Sequence, residues 1–350
     1  MKKSKVIVAS LSLAMVLTAC GAKNEANNAN NAANNTAVES NQDANVANGN
    51  LKLHRAYLAP HGEGAFARVI VATSGDKILG ANIDEFQFLD KGAVELPNSD
   101  KEFGEGFAEG KILASKKMND EIYSAMMAEK AGATKSIAEN YEAIESFVAG
   151  KTIEEVEKVI KEAKDGEPVD AVSSATLVDT KGYLQAIVDT AKDDSLATVV
   201  DTEVNVENLT LEQAYTGNGK GQYFTDAVVL KDGDKIVAAN IDELFFMEDG
   251  KGVPNSDKKF AEGYADKKAP LVSKKENSEA YSKNMKEYGQ ATKTMMENYK
   301  AIEEFAIGKT SEELVEVANS GKEGEPIDAV SSATLSGTSG LLKDLAEASK

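Results

Sequence analysis

The segment GDKILGANIDEF, residues 75–86, returns as GDKIVAANIDEL at 233–244. The correspondence continues on both sides. PNSD stands at 97–100 and 254–257, ASKK (114–117) is answered by VSKK (272–275), and ENYEAIESF (139–147) by ENYKAIEEF (297–305). GEPVDAVSSATL ends at 177 and GEPIDAVSSATL at 335. Most pairs lie 158 residues apart; only PNSD slips by one, so its loop carries a deletion and a compensating insertion. A repeat of this length is a duplicated domain. It divides the chain into residues 51–195 and 205–350, each a usual domain size, with a linker near 193–204.

Within a copy, strands precede helices. Ala65–Ala72 and Lys77–Phe88 are rich in β-formers and flank the turn signal TSGD; Gln222–Leu230 and Lys235–Met247 flank KDGD. Each pair predicts a hairpin. Ile137, Tyr141, Ile144 and Phe147/Val148 fall on one helical face, as do Met295, Tyr299, Ile302 and Phe305. Thr152-x-x-Glu155 and Thr310-x-x-Glu313 read as capping boxes of a further helix, and Thr180–Lys192 and Ser339–Ser349 as a final one. The order predicts an α+β fold: two tandem homologous domains, each an antiparallel sheet packed with helices.

The chain opens MKKSKVIVASLSLAMVLTAC. Lys2, Lys3 and Lys5 precede an apolar run from Val6 to Leu17, the pattern of a signal peptide and too short for a comfortable membrane span. It ends in Leu17-Thr18-Ala19-Cys20, which resembles the bacterial lipobox. That resemblance implies removal of residues 1–19 and acylation of Cys20. The mature chain would then be anchored in the lipid bilayer on the extracytoplasmic face of the bacterial membrane. Residues 21–50, rich in Asn and Ala, have almost nothing to bury and read as a disordered tether. It has an r.m.s. span of about 30 Å and a stretched limit of about 100 Å.

The formal net charge of −19 argues against nucleic acid as a partner. Cys20 is the only cysteine, which excludes an intrachain disulfide, a Cys-rich zinc site and an iron–sulfur cluster. The two histidines, His54 and His61, have no counterparts in the second copy and read as surface or packing residues, so no metal site is assigned. No G-x-S-x-G, H-E-x-x-H, Walker A or EF-hand pattern occurs, and no catalytic residue is assigned.

DAVSSATL is identical at 170–177 and 328–335, while the helices after it differ freely (VDTKGYLQAI against SGTSGLLKDL). Ser and Thr before a helix make good caps, and unpaired N–H groups at a helix start suit an anion such as phosphate. A cap requires one or two residue types, however, not eight. Recognition of the same linear segment by a second protein accounts for the identity.

Asp-x-x-Ser-Ser-Ala-Thr resembles the acceptor motif of the FMN-binding domain family, with serine at the middle position where the family more often has glycine. The resemblance implies Thr176 and Thr334 as acceptors, each joined to FMN as a phosphoester by a flavin transferase. Asp170, Ser173, Ser174 and Ala175 match the rest of the first motif, and Asp328, Ser331, Ser332 and Ala333 the rest of the second. A small residue such as Ala175 would let the transferase approach closely. With no His or Cys near either threonine in sequence, the activation must come from that enzyme. The flavin ring requires an apolar or aromatic wall; Tyr183 offers one in the first copy, but its counterpart is Leu341.

Two such motifs on an exported chain are similar to the two-flavin lipoproteins of Gram-positive extracellular electron transfer. That similarity implies an electron carrier rather than an enzyme, with FMN supplying the redox chemistry. The donor would be a membrane NADH dehydrogenase or quinone pool, and the acceptors ferric iron or soluble flavins. It also implies that the signal peptide could be trimmed to a pheromone. Two other readings stay open on the residues alone: a solute-binding lipoprotein clamping a ligand between its domains, and a surface interaction protein.

Overall fold

The computed structural model describes residues 5–7, 46–48, 50–201, 203–289, 292–322 and 325–350, the first two segments as backbone only. Cys20, the rest of the signal peptide and most of the tether lie outside them.

The first domain comprises β1 (Leu51–Leu58), β2 (Ala65–Ser74), β3 (Lys77–Asp90), β4 (Lys111–Ser115), α1 (Asp120–Ala131), α2 (Ile137–Val148), α3 (Ile153–Glu162) and α4 (Thr180–Lys192). Short strands β5 (Thr198–Val200) and β6 (Glu203–Asn205) follow. The second domain repeats the order with β7 (Leu209–Thr216), β8 (Tyr223–Asp232), β9 (Lys235–Phe246), β10 (Leu271–Ser273), α5 (Ser278–Gly289), α6 (Met295–Ala306), α7 (Ser311–Ser320) and α8 (Thr338–Ala348).

Both sheets are antiparallel, in the order β4-β3-β2-β1-β5 and β10-β9-β8-β7, with Lys5–Ile7 along the outer edge of β7. The predicted hairpins are present. Gly75 and Gly233 take φ +61° and +60° in their turns, where other residues would be strained. Each hairpin carries one bulge at the equivalent place, after Ala72 and after Leu230. The capping boxes at Thr152 and Thr310 form as expected, and two more open α2 at Ser136 and α6 at Thr294. The linker is not slack, since Thr198–Val200 pairs with β1.

Helices cover only one face of each sheet. Ala67, Val69 and Val71 of β2 join Tyr141, Ile144, Leu184 and Ile187 of the helices in one core. The alternate residues Phe66, Ile70 and Ala72 belong to two other clusters shared with the second domain. The two sheets therefore pack against each other through their helix-free faces. One end of this interface is aromatic and the other aliphatic.

Polar groups occupy the middle. Arg55 and Arg68, both fully buried, converge on the buried carboxylate of Asp226. Arg55 also donates to Asn240 Oδ1 at 2.7 Å, and Arg68 to Asn82 Oδ1 at 2.6 Å and to the Tyr215 hydroxyl at 3.0 Å. Tyr215 donates to Asp84 at 2.8 Å and, in the mirrored contact, Tyr57 to Asp242 at 2.9 Å. Around the rim the domains exchange arms. The 3-10 helix Glu102–Gly106 packs Phe103 on Phe224 and Phe246, while Lys259–Gly263 packs Phe260 on Phe66 and Phe88. A β-carbon on Gly106 or Gly263 would lie 2.1 Å from the facing Phe246 or Phe88 ring, so only glycine admits this approach. The asparagines of the two PNSD motifs, Asn98 and Asn255, take φ 65° and 66° and donate across the interface to Tyr223 O and Ala65 O, both at 2.7 Å.

Removing one partner of a buried ion pair leaves the others uncompensated, at a cost of about 3–5 kcal/mol. Asp226→Asn should lower unfolding free energy by that order in a urea melt. Asp194→Asn, which breaks the exposed pair with Lys52, should cost under about 1 kcal/mol.

Candidate functional site

The octapeptide folds as two successive turns, closed by Val172 N–H to Val169 O and Ala175 N–H to Val172 O, both 2.8 Å. The second copy repeats them, Val330 to Ile327 and Ala333 to Val330, at 2.9 and 2.8 Å. This spacing sends Val169, Val172 and Ala175 into the core and leaves Asp170, Ser173, Ser174 and Thr176 exposed. In the second copy Ile327, Val330 and Ala333 are buried, Asp328, Ser331 and Ser332 are exposed, and Thr334 is half-buried. Ala175 and Ala333 are each only 5% exposed. Their small size thus serves packing beneath the turn, not the approach of a second protein as the sequence suggested.

Thr176 and Thr334 are held by a residue that sequence reading missed. Asn140 Oδ1 accepts from Thr176 N–H at 2.7 Å and from its hydroxyl at 3.3 Å. Asn298 does the same for Thr334 at 2.6 and 3.3 Å. Each asparagine is fully buried, and its amide donates one turn back, to Ser136 O and Thr294 O at 2.8 Å. Those two residues are the N-caps of α2 and α6, fixed by their capping boxes. Lys135 and Lys293 donate to Ser174 O and Ser332 O, closing each frame from outside. The signal for Asn140 was present in the shared Glu-Asn-Tyr, where a polar residue recurs beside the apolar stripe.

The cap that Ser and Thr before a helix could supply, set aside on the sequence, does not form. Helix α4 begins at Thr180 and α8 at Thr338, four residues beyond Thr176 and Thr334, and no side chain caps either helix. The octapeptide hydroxyls are therefore not consumed by capping.

Beneath the frame lies a second repeated network. Ser115 donates to Asp84, Lys116 to Glu85 at 2.5 Å and Lys117 to Glu145 at 2.7 Å. Ser273, Lys274 and Lys275 repeat this on Asp242, Glu243 and Glu303. Burial pushes the Glu85 carboxyl up, but the Lys116 ammonium and the Tyr141 hydroxyl outweigh it and hold the group below its ordinary value. Tyr141 and Tyr183 donate to Glu85 at 2.8 and 2.9 Å. Tyr183 is 1% exposed, so it is part of the core and no wall for a surface ligand. His54 is also buried, bonded to Asp193 O and Thr73, whereas His61 is half-exposed with Nδ1 3.7 Å from Asp179.

Two equivalent grooves open at the domain interface. The first, about 510 Å³, takes His61, Ala65, Phe88, Lys116 and Tyr123 from the first domain. Lys259, Phe260 and Glu262 of the other domain's arm complete it. The second, about 450 Å³, takes Tyr223, Phe245, Phe246, Lys274 and Tyr281 from the second domain, and Glu102 and Glu105 from the first. In the second, the Lys274 ammonium lies 3.6 Å from the centre of the Tyr223 ring. Each groove borders the loop onto which the start of the final helix packs. A β-carbon at Gly182 would lie 2.6 Å from Pro60 O, and at Gly340 3.2 Å from Asn218 O.

Comparison with protein-family models, with characterised proteins and with solved structures gives no match.

Asn140→Ala leaves the Thr176 N–H without its acceptor. The expected cost is about 1–3 kcal/mol, with faster hydrogen exchange at Thr176 and no change at Thr334. A pH effect follows from Asp344, which burial raises to about 6 from 3.8, with Glu243 adding to the shift and the Asn218 hydrogen bond opposing it. Between those pH values the unfolded chain releases this proton before the folded one, so stability falls as pH rises. The fall should be on the order of 3 kcal/mol, and Asp344→Asn should abolish that part of the pH profile of urea unfolding.

Proposed function

We propose that this chain is a lipid-anchored, extracytoplasmic flavoprotein carrying two FMN groups, one esterified through phosphate to each of Thr176 and Thr334. In this reading it relays electrons from a membrane dehydrogenase or quinol pool to outside acceptors such as ferric iron or soluble flavins. The observation that carries it is the doubled acceptor frame: an accessible threonine hydroxyl, aimed by a buried asparagine, in a motif identical between copies whose flanks have diverged.

The residues present fit such an attachment. In each copy an ester needs one hydroxyl reachable from outside, and the octapeptide presents Thr176 exposed and Thr334 half-buried. The hydroxyl's partner is an amide oxygen, which orients it but cannot take its proton. Deprotonation of the hydroxyl, and formation of its O–P bond as the phosphoanhydride bond of an activated flavin nucleotide breaks and its leaving group departs, therefore belong to a separate flavin transferase. The exposed Asp170, Ser173 and Ser174, with Asp328, Ser331 and Ser332, give that enzyme the same surface to read twice. Once bound, FMN accepts and donates electrons one or two at a time; the protein holds and tunes it. The other binding reading, a solute clamped between the domains, meets an interface filled by buried aromatic, aliphatic and ion-paired side chains.

Intact mass after co-expression with a flavin transferase should show two additions, each of FMN less one water, on a yellow protein whose fluorescence survives denaturation. Thr176→Ala and Thr334→Ala should each remove one addition, and the double variant should be colourless. An unmodified, colourless wild-type chain would sink the reading.

A further inference from the structure

We propose that each flavin ring lodges in the interface groove beside its own threonine, completed by the 3-10 helix of the other domain, and that the first groove holds the reduced ring more firmly than the second. This rests on the flavin-carrier reading and adds to it a two-domain site and a difference between the two carriers.

The grooves are placed for it. Asp179 stands three residues after Thr176, at most about 11 Å of chain, and touches His61 on the groove wall. The final helix of each copy rests on the loop that borders the groove, through Gly182 and Gly340. The walls suit a planar aromatic ring. Phe88 and Phe260 meet at 5.1 Å in the first groove, and Phe245 and Tyr281 at 5.4 Å in the second. A third cavity of about 370 Å³ lies beside Asp170, but its lining, which includes Val159, Ala163 and Pro168, has no aromatic side chain.

The two grooves share a frame and differ in charge. Lys111, Lys116 and Lys259 against Glu63 and Glu262 leave the first lining one positive charge. Lys274 against Glu102, Glu105 and Asp266 leaves the second two negative charges. Including the ion-pair partners outside the linings (Glu85, Asp90, Asp179 and Lys258 for the first, Glu243 for the second), with His61 neutral, the first groove stays the less negative of the two by two charges. Buried Asp344, which interacts with Tyr223 of the second groove, adds to the same imbalance. The fully reduced flavin ring is an anion near neutral pH, so a more negative surrounding opposes its formation and a more positive one favours it. Residues of the opposite domain set much of this difference: Lys259 for the first groove, Glu102 and Glu105 for the second.

The test uses the full chain, co-expressed with a flavin transferase, as two singly loaded forms. Thr334→Val leaves only Thr176 modified, and Thr176→Val leaves only Thr334; intact mass verifies one addition in each. Visible-absorbance redox titration should place the Thr176 flavin above the Thr334 flavin by at least a tenfold bias, about 30 mV for a two-electron couple. Lys259→Gln should lower the potential at Thr176 alone, and Glu102→Gln with Glu105→Gln should raise it at Thr334 alone. Equal or reversed potentials overturn the proposal, as do substitutions that act only on the flavin of their own domain. A chain that gains no mass overturns the flavin reading itself.

Discussion

The shared carboxylate of Asp226, held between Arg55 and Arg68, constrains how the two halves of this protein can meet. All three groups are buried between the sheets, where an unpaired charge would cost several kcal/mol. The two domains descend from one sequence, yet the position of Arg68 in the first copy is occupied by Asp226 in the second, and that of Arg55 by Gln213. Two first copies meeting this way would face arginine with arginine, and two second copies aspartate with aspartate. The divergence therefore selects the pairing of unlike halves. In the same register Tyr57 meets Asp242 and Tyr215 meets Asp84, so the mirrored pairs and the Arg–Asp pairs agree on one docking.

That docking determines what stands beside the octapeptide turns. Once the sheets meet, the arms reach over the opposite domain. Phe103 and Phe260 then cover aromatic rings that a solitary domain would leave bare. The grooves exist only because of this exchange, since each takes one wall from the far arm. The repeated peptides connect the interface to the turn. Asp84 and Asp242 receive the interface tyrosines and the Ser-Lys-Lys segments; the adjacent Glu85 and Glu243 receive Tyr141 and Tyr299. Those tyrosines sit next to Asn140 and Asn298, which hold Thr176 and Thr334.

Sequence reading found what is local. The hairpins, the capping boxes and the final helices depend on residues within a few positions of one another, and they appear within about two residues of the expected bounds. Strand β1 escaped because its sequence, LKLHRAYL, has no polar face to alternate with. One side meets helices and the other meets the second sheet, so Arg55 and His54 are buried along with Leu51 and Leu53. The interface was illegible for a different reason. Arg55 and Asp226 are 171 residues apart, and nothing in a single sequence shows that two charged residues at that distance are partners. PNSD was visible as a repeat, but its role as a bridge to the other domain depends on φ near 65° and on the neighbour. Asn140 lay between these cases, flagged by repetition and given meaning only by the turn that folds over it.

Where the copies agree and where they differ is itself physical information. The frame around each threonine is kept nearly atom for atom: the same asparagine, the same lysine to the second serine's carbonyl, hydrogen bonds equal to within 0.1 Å. The walls next to it have changed. Ala65 and Gln87 of the first groove become Tyr223 and Phe245 in the second, Tyr183 becomes Leu341, and Ala186 becomes Asp344. Pure structural duplication would relax both regions alike. Selection for one modifying enzyme acting twice would hold the frame and leave the walls free. Selection for two carriers of unequal electron affinity would hold the frame and drive the walls apart in charge. The direction of the change, toward carboxylates around one groove and lysines around the other, is the pattern that the last of these pressures would leave on the proposed pair of carriers.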